Sequence, residues 1–475
     1  MTASADWCDV GREKASRINI LPDDVVLEIF YFYVNLYSLY GGKTESEKWQ
    51  SLVHVCRRWR SLVSQSPRRL NLRLYCSPQT PAKDKLDVWP ALPLVIQGRM
   101  TSLSGTDNVI SALGQSNHVC KVDLWDIAKW QFEKVLAAMQ VPFTELIDLR
   151  LFSESDDETP QAIPDSFLDG SARSLQTIRL SGIPFPGLPK LLLSANHLAT
   201  LWLSNIPHSG YISPEAIVTL ISVLSSLDTL HLRFQSPQSC PASERQSWSL
   251  PSLKRSILPA LRRLNFKGAT EYLEELVTRI DTPQLNFLDI IFFNQIDFDY
   301  PRLAQFINRT PTLRTRDDAQ VRFNDHSACV GLPAWSRTLE VAILCGEPDW
   351  QLSSIEQVCN SLPPVSTVED LYIEHRNWKL VWKDDAIENT LWLQFLLPFA
   401  AVKNLYLSKQ SAPGIAATLD ELVGDRITEV LPNLQSIFVE GLEPSGPFQE
   451  CIGRFVAARQ LSDHPIAISV WRNYR

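Results

Sequence analysis

No stretch of this chain is apolar for long enough to cross a bilayer. The two longest candidates, residues 25–40 and 391–402, are interrupted by Glu28 and Asn35 and by Gln394 and Pro398. Both fall short of the roughly 20 residues that a spanning helix needs. Basic charge is also in short supply, with 45 Lys and Arg against 53 Asp and Glu, a net charge of -8 and a pI of about 5.6. No global pull toward nucleic acid or anionic lipid is expected. The nine cysteines include no C-x-x-C pair and no His at zinc-ligand spacing, the usage of a reducing compartment. Residues 1–17 are polar and lack an apolar signal core, so export is not expected and the sequon at Asn308 is accidental.

Catalytic signatures are missing as well. There is no G-x-S-x-G elbow, no H-E-x-x-H and no EF-hand loop. Gly42-Lys43-Thr44 resembles the end of a phosphate-binding loop, but Tyr37 stands where its first glycine belongs. The eight His residues stand apart. No enzymatic activity, no cofactor and no metal are expected, and a place in the cytoplasm or nucleus is.

What is present is a folded chain, 45% hydrophobic and 21% charged. At 475 residues it exceeds what one compact core can serve, so it must divide into domains or grow as a repeat array.

The segment INILPDDVVLEIFYFYVNL at 18–36 starts a helix after Leu21-Pro22, with Asp23 and Asp24 suited to a first turn. Val25, Ile29 and Tyr33, with Val26, Phe30 and Val34, repeat at steps of four and build a wide apolar face. A second amphipathic run at 48–63 places Leu52, Cys56, Trp59 and Val63 on one side, which predicts a second helix. Gly41-Gly42 marks a loop between them at 37–47.

LPDDVVLEIF at 21–30 and VCRRW at 55–59 resemble, in order, the two signature stretches of the F-box, over residues 18–69. The resemblance implies a small all-α module that binds a Skp-type adaptor and, through it, a cullin. It implies adaptor contact through Leu21, Pro22, Val26, Ile29, Phe30, Val55, Cys56 and Trp59, any of which could instead face the module's interior. The 37–47 loop is longer than a minimal F-box needs, as in many fungal members of that family.

From Leu70 the texture changes to alternation, with Leu70, Leu72 and Leu74 marking one strand and 94–96 another. A phrase then recurs: apolar, two others, apolar, one other, apolar. It reads clearly at Val119/Val122/Leu124, Leu146/Leu149/Leu151, Leu175/Ile178/Leu180, Leu198/Leu201/Leu203 and Leu227/Leu230/Leu232. It continues at Leu261/Leu264/Phe266, Leu285/Leu288/Ile290, Val368/Leu371/Ile373, Val402/Leu405/Leu407 and Leu434/Ile437/Val439, with degraded copies near Leu313 and Leu339. The mean period is about 29 residues, within the range of leucine-rich repeats. Helical stretches at 130–139, 214–224, 270–279, 353–362 and 413–423 fit between the strands, and 448–460 with Ile466, Ile468 and Val470 supplies a last helix and strand.

These readings predict an α/β leucine-rich-repeat solenoid, a horseshoe with one parallel sheet, over 70–475, preceded by the F-box at 18–69 and a flexible 1–17. Side chains between the second and third apolar residues of each phrase point away from the core. They include Asp123, Arg150, Arg179, Trp202, His231, Asn265 and Asp289, and then Tyr372, Tyr406 and Phe438. Exposed aromatics of this kind are interface anchors, so Trp202, Tyr372, Tyr406 and Phe438 are candidates for holding a target protein. Coverage of the last three by Trp471 or Tyr474 is the structural alternative. The acidic cluster 154–158 and the basic run 57–73 read as solvated surface. The expected function is substrate recognition within a Skp–cullin–F-box ubiquitin ligase. The alternative is a repeat scaffold outside any ligase, its N-terminal helices only capping the solenoid. Neither nucleic acid nor membrane is an expected partner.

Overall fold

The computed structural model describes residues 20–35, 49–90, 92–100, 103–153, 162–185, 188–237, 255–294, 300–314, 316–334, 337–375, 389–422, 424–441 and 447–471. Residues 1–17, the loop at 37–47, most of the loops at 152–165 and 235–249, the acidic cluster 154–158 and Tyr474 lie outside these. The chain forms two compact units, Met1–Glu154 and Ser155–Arg475.

In the first unit, α1 (Asp23–Asn35) carries Asp23 and Asp24 in its first turn, where carboxylates meet the positive end of the helix dipole. The continuous helix expected over 48–63 is instead two, α2 (Trp49–Val53) and α3 (Arg57–Gln65). The break is at Cys56, whose backbone is extended (φ -158°, ψ 170°) and whose sulfur accepts the Trp59 N–H as an N-cap. A spacing of four and three reads the same through a cap as through a helix, so periodicity alone did not separate the two. Val26, Leu27 and Phe30 of α1 are buried together with Trp49, Leu52, Val53, Leu62 and Val63. The Phe30 and Trp59 rings meet edge to face, 4.7 Å between centroids.

Four parallel strands follow in chain order: β1 (Leu74–Cys76), β2 (Leu94–Arg99), β3 (Val119–Ile127) and β4 (Asp148–Ser153). The alternation from Leu70 matures into a strand only at Leu74. Leu70 and Leu72 are buried ahead of it, around Asn71 with a left-handed φ of 51°. Helices α4 (Lys83–Val88), α5 (Leu103–Leu113) and α6 (Lys129–Ala138) link the strands.

The second unit alternates strands and helices in the same way. Its strands are β5 (Thr177–Ser181), β6 (Thr200–Ile206), β7 (Thr229–Phe234), a short β8 (Ser256–Ile257), β9 (Arg263–Gly268), a short β10 (Ile280–Asp281) and β11 (Phe287–Phe292). Then come β12 (Asp318–Asn324), β13 (Ser327–Ala334), β14 (Arg337–Leu344), β15 (Asp370–His375), β16 (Asn404–Leu407), β17 (Ser436–Glu440) and β18 (Ala467–Trp471). Between them lie α7 (Leu188–Leu192), α8 (Pro214–Ser222), α9 (Thr270–Thr278), α10 (Pro301–Arg309), α11 (Pro348–Ser361), α12 (Asn389–Leu396), α13 (Ala412–Asp420) and α14 (Pro447–Leu461). Successive helices pack on one another from α8 to α10 and from α11 to α14. Every apolar residue of the ten clear phrases is buried, none more than 4% exposed. At about 1.5–3 kcal/mol for each fully buried aliphatic side chain, these rows are the core of the chain.

The large sheet of the second unit is open and mostly parallel, but its order departs from the sequence. Strands β5, β6, β7, β9 and β11 follow one another, and then comes β14, with β13 and β12 beyond it, before β15 to β18 resume. β14 is parallel to β11 and β12 is parallel to β15, while β13 runs antiparallel to both of its neighbours. The degraded copies near Leu313 and Leu339 are therefore not two successive parallel repeats, as the single parallel sheet required. The chain overshoots by two strand positions, folds back twice, and fills the gap in reverse. In β13 every residue from Ala328 to Leu332 is buried, so the strand reads as a continuous apolar stretch, and apolar burial carries no direction.

Candidate functional site

Two surfaces concentrate the residues singled out above. The first is on the N-terminal helices. Arg58 of the VCRRW stretch forms an ion pair with Asp23 of the LPDD stretch at 2.6 Å and donates to the Leu21 carbonyl at 2.5 Å. Arg69 reaches Glu28 at 3.3 Å and Arg60 donates to the Val53 carbonyl at 2.9 Å. Arg58 thus ties α1 to α3, and Arg69 ties α1 to the turn after α3, through ion pairs that stay largely exposed. The sequence offered a signal for this, since acidic residues open one signature and arginines fill the other.

With the helices clasped, the eight positions separate. Val26 and Phe30, each 1% exposed, are committed to the module's own interior, and Leu21, Cys56 and Trp59 are half-buried. Pro22, Ile29 (51%) and Val55 (58%) are exposed, in company with Ile20, Val25, Tyr31, Phe32 (64%) and Tyr33. These residues leave an unusual amount of apolar side chain exposed on one small module. The opposite side of the module is already engaged. Trp49 donates its indole N–H to the Arg73 carbonyl at 3.1 Å and meets Trp89 edge to face at 5.1 Å.

The second surface is the face of the second unit's sheet that carries no phrase anchors. Strand register places Arg179, Trp202, His231, Asn265, Asp289, Glu340, Gly331, Gln320, Tyr372, Tyr406, Phe438 and Ser469 in one row across it. Its β5–β9 end is cationic and aromatic. Trp202 stacks on His231 at 3.6 Å and 12°, the Arg179 guanidinium lies 5.1 Å from the Trp202 centroid, and Arg233 pairs with Asp289 at 2.9 Å. Parity predicts His231 on the solvent side, yet it is only 1% exposed. Neither ring nitrogen has a hydrogen-bond partner among the described residues. Burial first, and then the Arg233 and Arg179 charges, hold its pKa down at about 3, so the imidazole is neutral.

At the β15–β18 end, three of the four predicted target residues come together. Tyr372 stacks on Tyr406 at 4.2 Å and 10°, and Tyr406 stacks on Phe438 at 4.5 Å and 9°. Trp202 is apart from them, seven strand positions away in that row. Trp471 of β18 leans back to within 6.0 Å of Tyr372 and 5.6 Å of Tyr406, tilted by 57° and 67°. It covers part of the stack, yet all four rings keep partial exposure. The Tyr372 hydroxyl bonds to that of Tyr406, and both phenols are pushed up, by burial first and then by neighbouring charge that includes Asp370 and Asp318. Sequence reasoning did not bring Trp471 into the cluster as a member. Its place two residues beyond Ser469, on the same strand face, was the available signal.

Among the described residues no group of His, Cys, Asp or Glu could hold a metal ion, and no helix is long and apolar enough to cross a membrane. No protein-family model matches the chain, and no curated protein matches it. Among solved structures, the crystal structure of the Rad7 and Elc1 complex in yeast aligns over 92% of this chain and 94% of that one, at 13% identity and a TM-score of 0.30. A score that low transfers neither fold nor function.

Proposed function

We propose that the chain is a non-catalytic substrate-recognition subunit of a Skp–cullin–F-box type ubiquitin ligase, its N-terminal helices docking a Skp-type adaptor and its leucine-rich repeats holding a target protein. One observation carries this reading: the helices that bear the F-box-like stretches leave Ile29, Phe32 and Val55 in solvent while burying Val26 and Phe30. Helices that merely capped a core would turn their apolar residues inward. The chemistry then belongs to the partners, and the chain acts by raising the local concentration of its target near the transferring enzyme. Tyr372, Tyr406 and Phe438 form the target face, because stacked aromatics outside the core supply large contact area at low entropic cost.

Co-expression with a Skp-type adaptor tests the first half. The wild-type chain should co-purify with it, and Ile29→Asp with Val55→Asp should not. A wild-type chain that brings down no adaptor ends the ligase reading. For the second half, Tyr372, Tyr406 and Phe438 changed together to Ala should alter the set of captured proteins, and an unchanged set removes the target face.

A second reading, a repeat scaffold capped by its helices, draws on the Trp49 contacts with Arg73 and Trp89. Those contacts engage α2 and leave the exposed side of α1 unaccounted for.

A further inference from the structure

On the face of β5, β6, β7, β9 and β11 that carries no phrase anchors stand four cations, Arg179, Arg233, Arg263 and Lys267, against one carboxylate, Asp289. In a chain of net charge -8 this is a local reversal of sign. Asp289 is engaged by Arg233 at 2.9 Å, and two further carboxylates next to these strands are engaged as well, Glu340 by Arg322 at 2.7 Å and Asp228 by Arg262 at 3.8 Å. Arg263 and Lys267, both on β9, have no carboxylate partner among the described residues. Each rests on a ring instead, Arg263 at 5.1 Å from the Phe287 centroid and Lys267 at 5.3 Å from that of Phe293. Beside them, Arg233 Nε and both ring nitrogens of His231 are buried without a hydrogen-bond partner among the described residues. The uncompensated charge acts on its neighbours. His231 and Lys267 both have their protonated forms disfavoured, by burial first and then by Arg233.

We propose that this patch receives an acidic segment of the target protein, an extended stretch whose Asp or Glu side chains pair separately with Arg263 and Lys267. The inference rests on the reading of this sheet face as the one that holds a target, and adds to it a second contact, away from the aromatic stack, with its own chemistry. Spacing selects the class of anion. Arg263 and Lys267 are four residues apart on one strand, about 13 Å, and β5 lies three strand spacings from β9, about 14 Å. The charged heads are held at separate places, Arg179 over Trp202, Arg233 at Asp289, Arg263 over Phe287 and Lys267 by Phe293. A single phosphoryl group is bound by donors that converge on its oxygens, and these cations do not converge. Carboxylates on every fourth residue of an extended chain, about 13 Å apart, match them.

The test uses the full chain and fluorescein-labelled dodecapeptides, with binding followed by anisotropy at low salt. A peptide alternating Glu and Ser should bind, more weakly as salt is raised, and one alternating Gln and Ser should not. Arg263→Gln with Lys267→Gln should weaken binding about tenfold, and Arg263→Gln alone, at an exposed position, about threefold. Lys83→Gln with Lys129→Gln, the same loss of charge at two exposed lysines of the first unit, should leave the affinity unchanged. Equal binding of the two peptides, or equal loss in the two double variants, overturns the proposal. So does tighter binding of a Gln–Ser peptide carrying one phosphoserine, or of a single-stranded RNA dodecamer, either of which reassigns the patch. A negative peptide result, with captured proteins still altered by the changes at Tyr372, Tyr406 and Phe438, rejects the acidic contact and leaves the target face standing. Adaptor co-purification depends on the helices alone and is unaffected by either outcome.

Discussion

The Glu274 carboxylate accepts the backbone N–H groups of Arg302 at 3.0 Å and Leu303 at 2.7 Å, so a side chain of α9 caps the N-terminus of α10. The cap is needed because Tyr300, at the N-cap position, provides no side-chain acceptor, and Pro301 follows it. Two donors that would otherwise be orphaned are satisfied from the neighbouring repeat, and the carboxylate sits at the positive end of the helix dipole. Glu275 adds ion pairs to Arg279 at 2.5 Å and Arg302 at 3.2 Å. Glu274→Ala should destabilise the second unit by about 1–3 kcal/mol. Amide exchange at residues 302–306 should accelerate ahead of the rest. Unchanged exchange there would show that the cap contributes nothing.

The N-terminal helices predict a separation of stability from binding. Phe30→Ala removes a buried ring stacked edge-on against Trp59 and should cost about 3–5 kcal/mol. Ile29→Asp, one residue away on the exposed side, should change stability by less than about 1 kcal/mol while abolishing adaptor co-purification. Thermal melts of the two variants side by side decide the matter, and equal losses would refute the assignment of inner and outer faces.

His231 predicts a defined acid sensitivity. Its folded pKa, about 3, lies below the ordinary 6.5, so the unfolded chain binds the proton more readily. The stabilising preference for the neutral ring is fully present above pH 6.5 and is lost as the pH falls from there toward 3, by up to about 1.4 kcal/mol per unit. His231→Phe keeps a ring against Trp202 and removes the titration. Urea unfolding at pH 7 and pH 5 should show the wild type losing more stability than the variant. Parallel curves would mean that the imidazole takes up a proton as freely folded as unfolded.

Two glycines in helices should respond with opposite signs. At Gly414 of α13 an added Cβ would stand 2.9 Å from the indole Nε1 of Trp392, itself buried on α12, so Gly414→Ala should destabilise by about 1–2 kcal/mol despite better helix propensity. At Gly453 of α14 nothing lies within 4 Å, and Gly453→Ala should stabilise by about 0.5–1 kcal/mol. Chemical denaturation of both variants checks the pair.

Much of this architecture was legible in the residues because a buried strand announces itself by spacing. Leu201 and Leu203 are core and Trp202 is not, and the same holds at the other clear phrases except that Asp123 and His231 are buried as well. Direction was not legible: Val330 of β13 is core opposite Val341 of β14 although the strands run oppositely, and an apolar residue carries no mark of strand direction. Nor was the cap at Cys56, since a single extended residue leaves the apolar spacing intact. At the candidate sites, spacing placed Tyr372, Tyr406 and Phe438 on one face correctly. Cover by Trp471 was anticipated as the structural alternative to a binding face, and Trp471 does lie against Tyr372 and Tyr406; spacing said nothing of how neighbours bury His231, because that depends on side chains from other strands.

The fold-back at β12–β14 changes what kind of object the second unit is. An array whose strands dock strictly in chain order can grow or lose a repeat at either end and leave its neighbours intact. Here β11 waits for a partner that the ribosome delivers about fifty residues later, and β15 docks on a strand made before that partner. Synthesis order and assembly order are therefore not the same. A truncation anywhere from 318 to 344 does more than shorten the array, since it strands an edge in its middle. Residues 318–344 behave as a keystone, and the stretches on either side of it answer to one another through it.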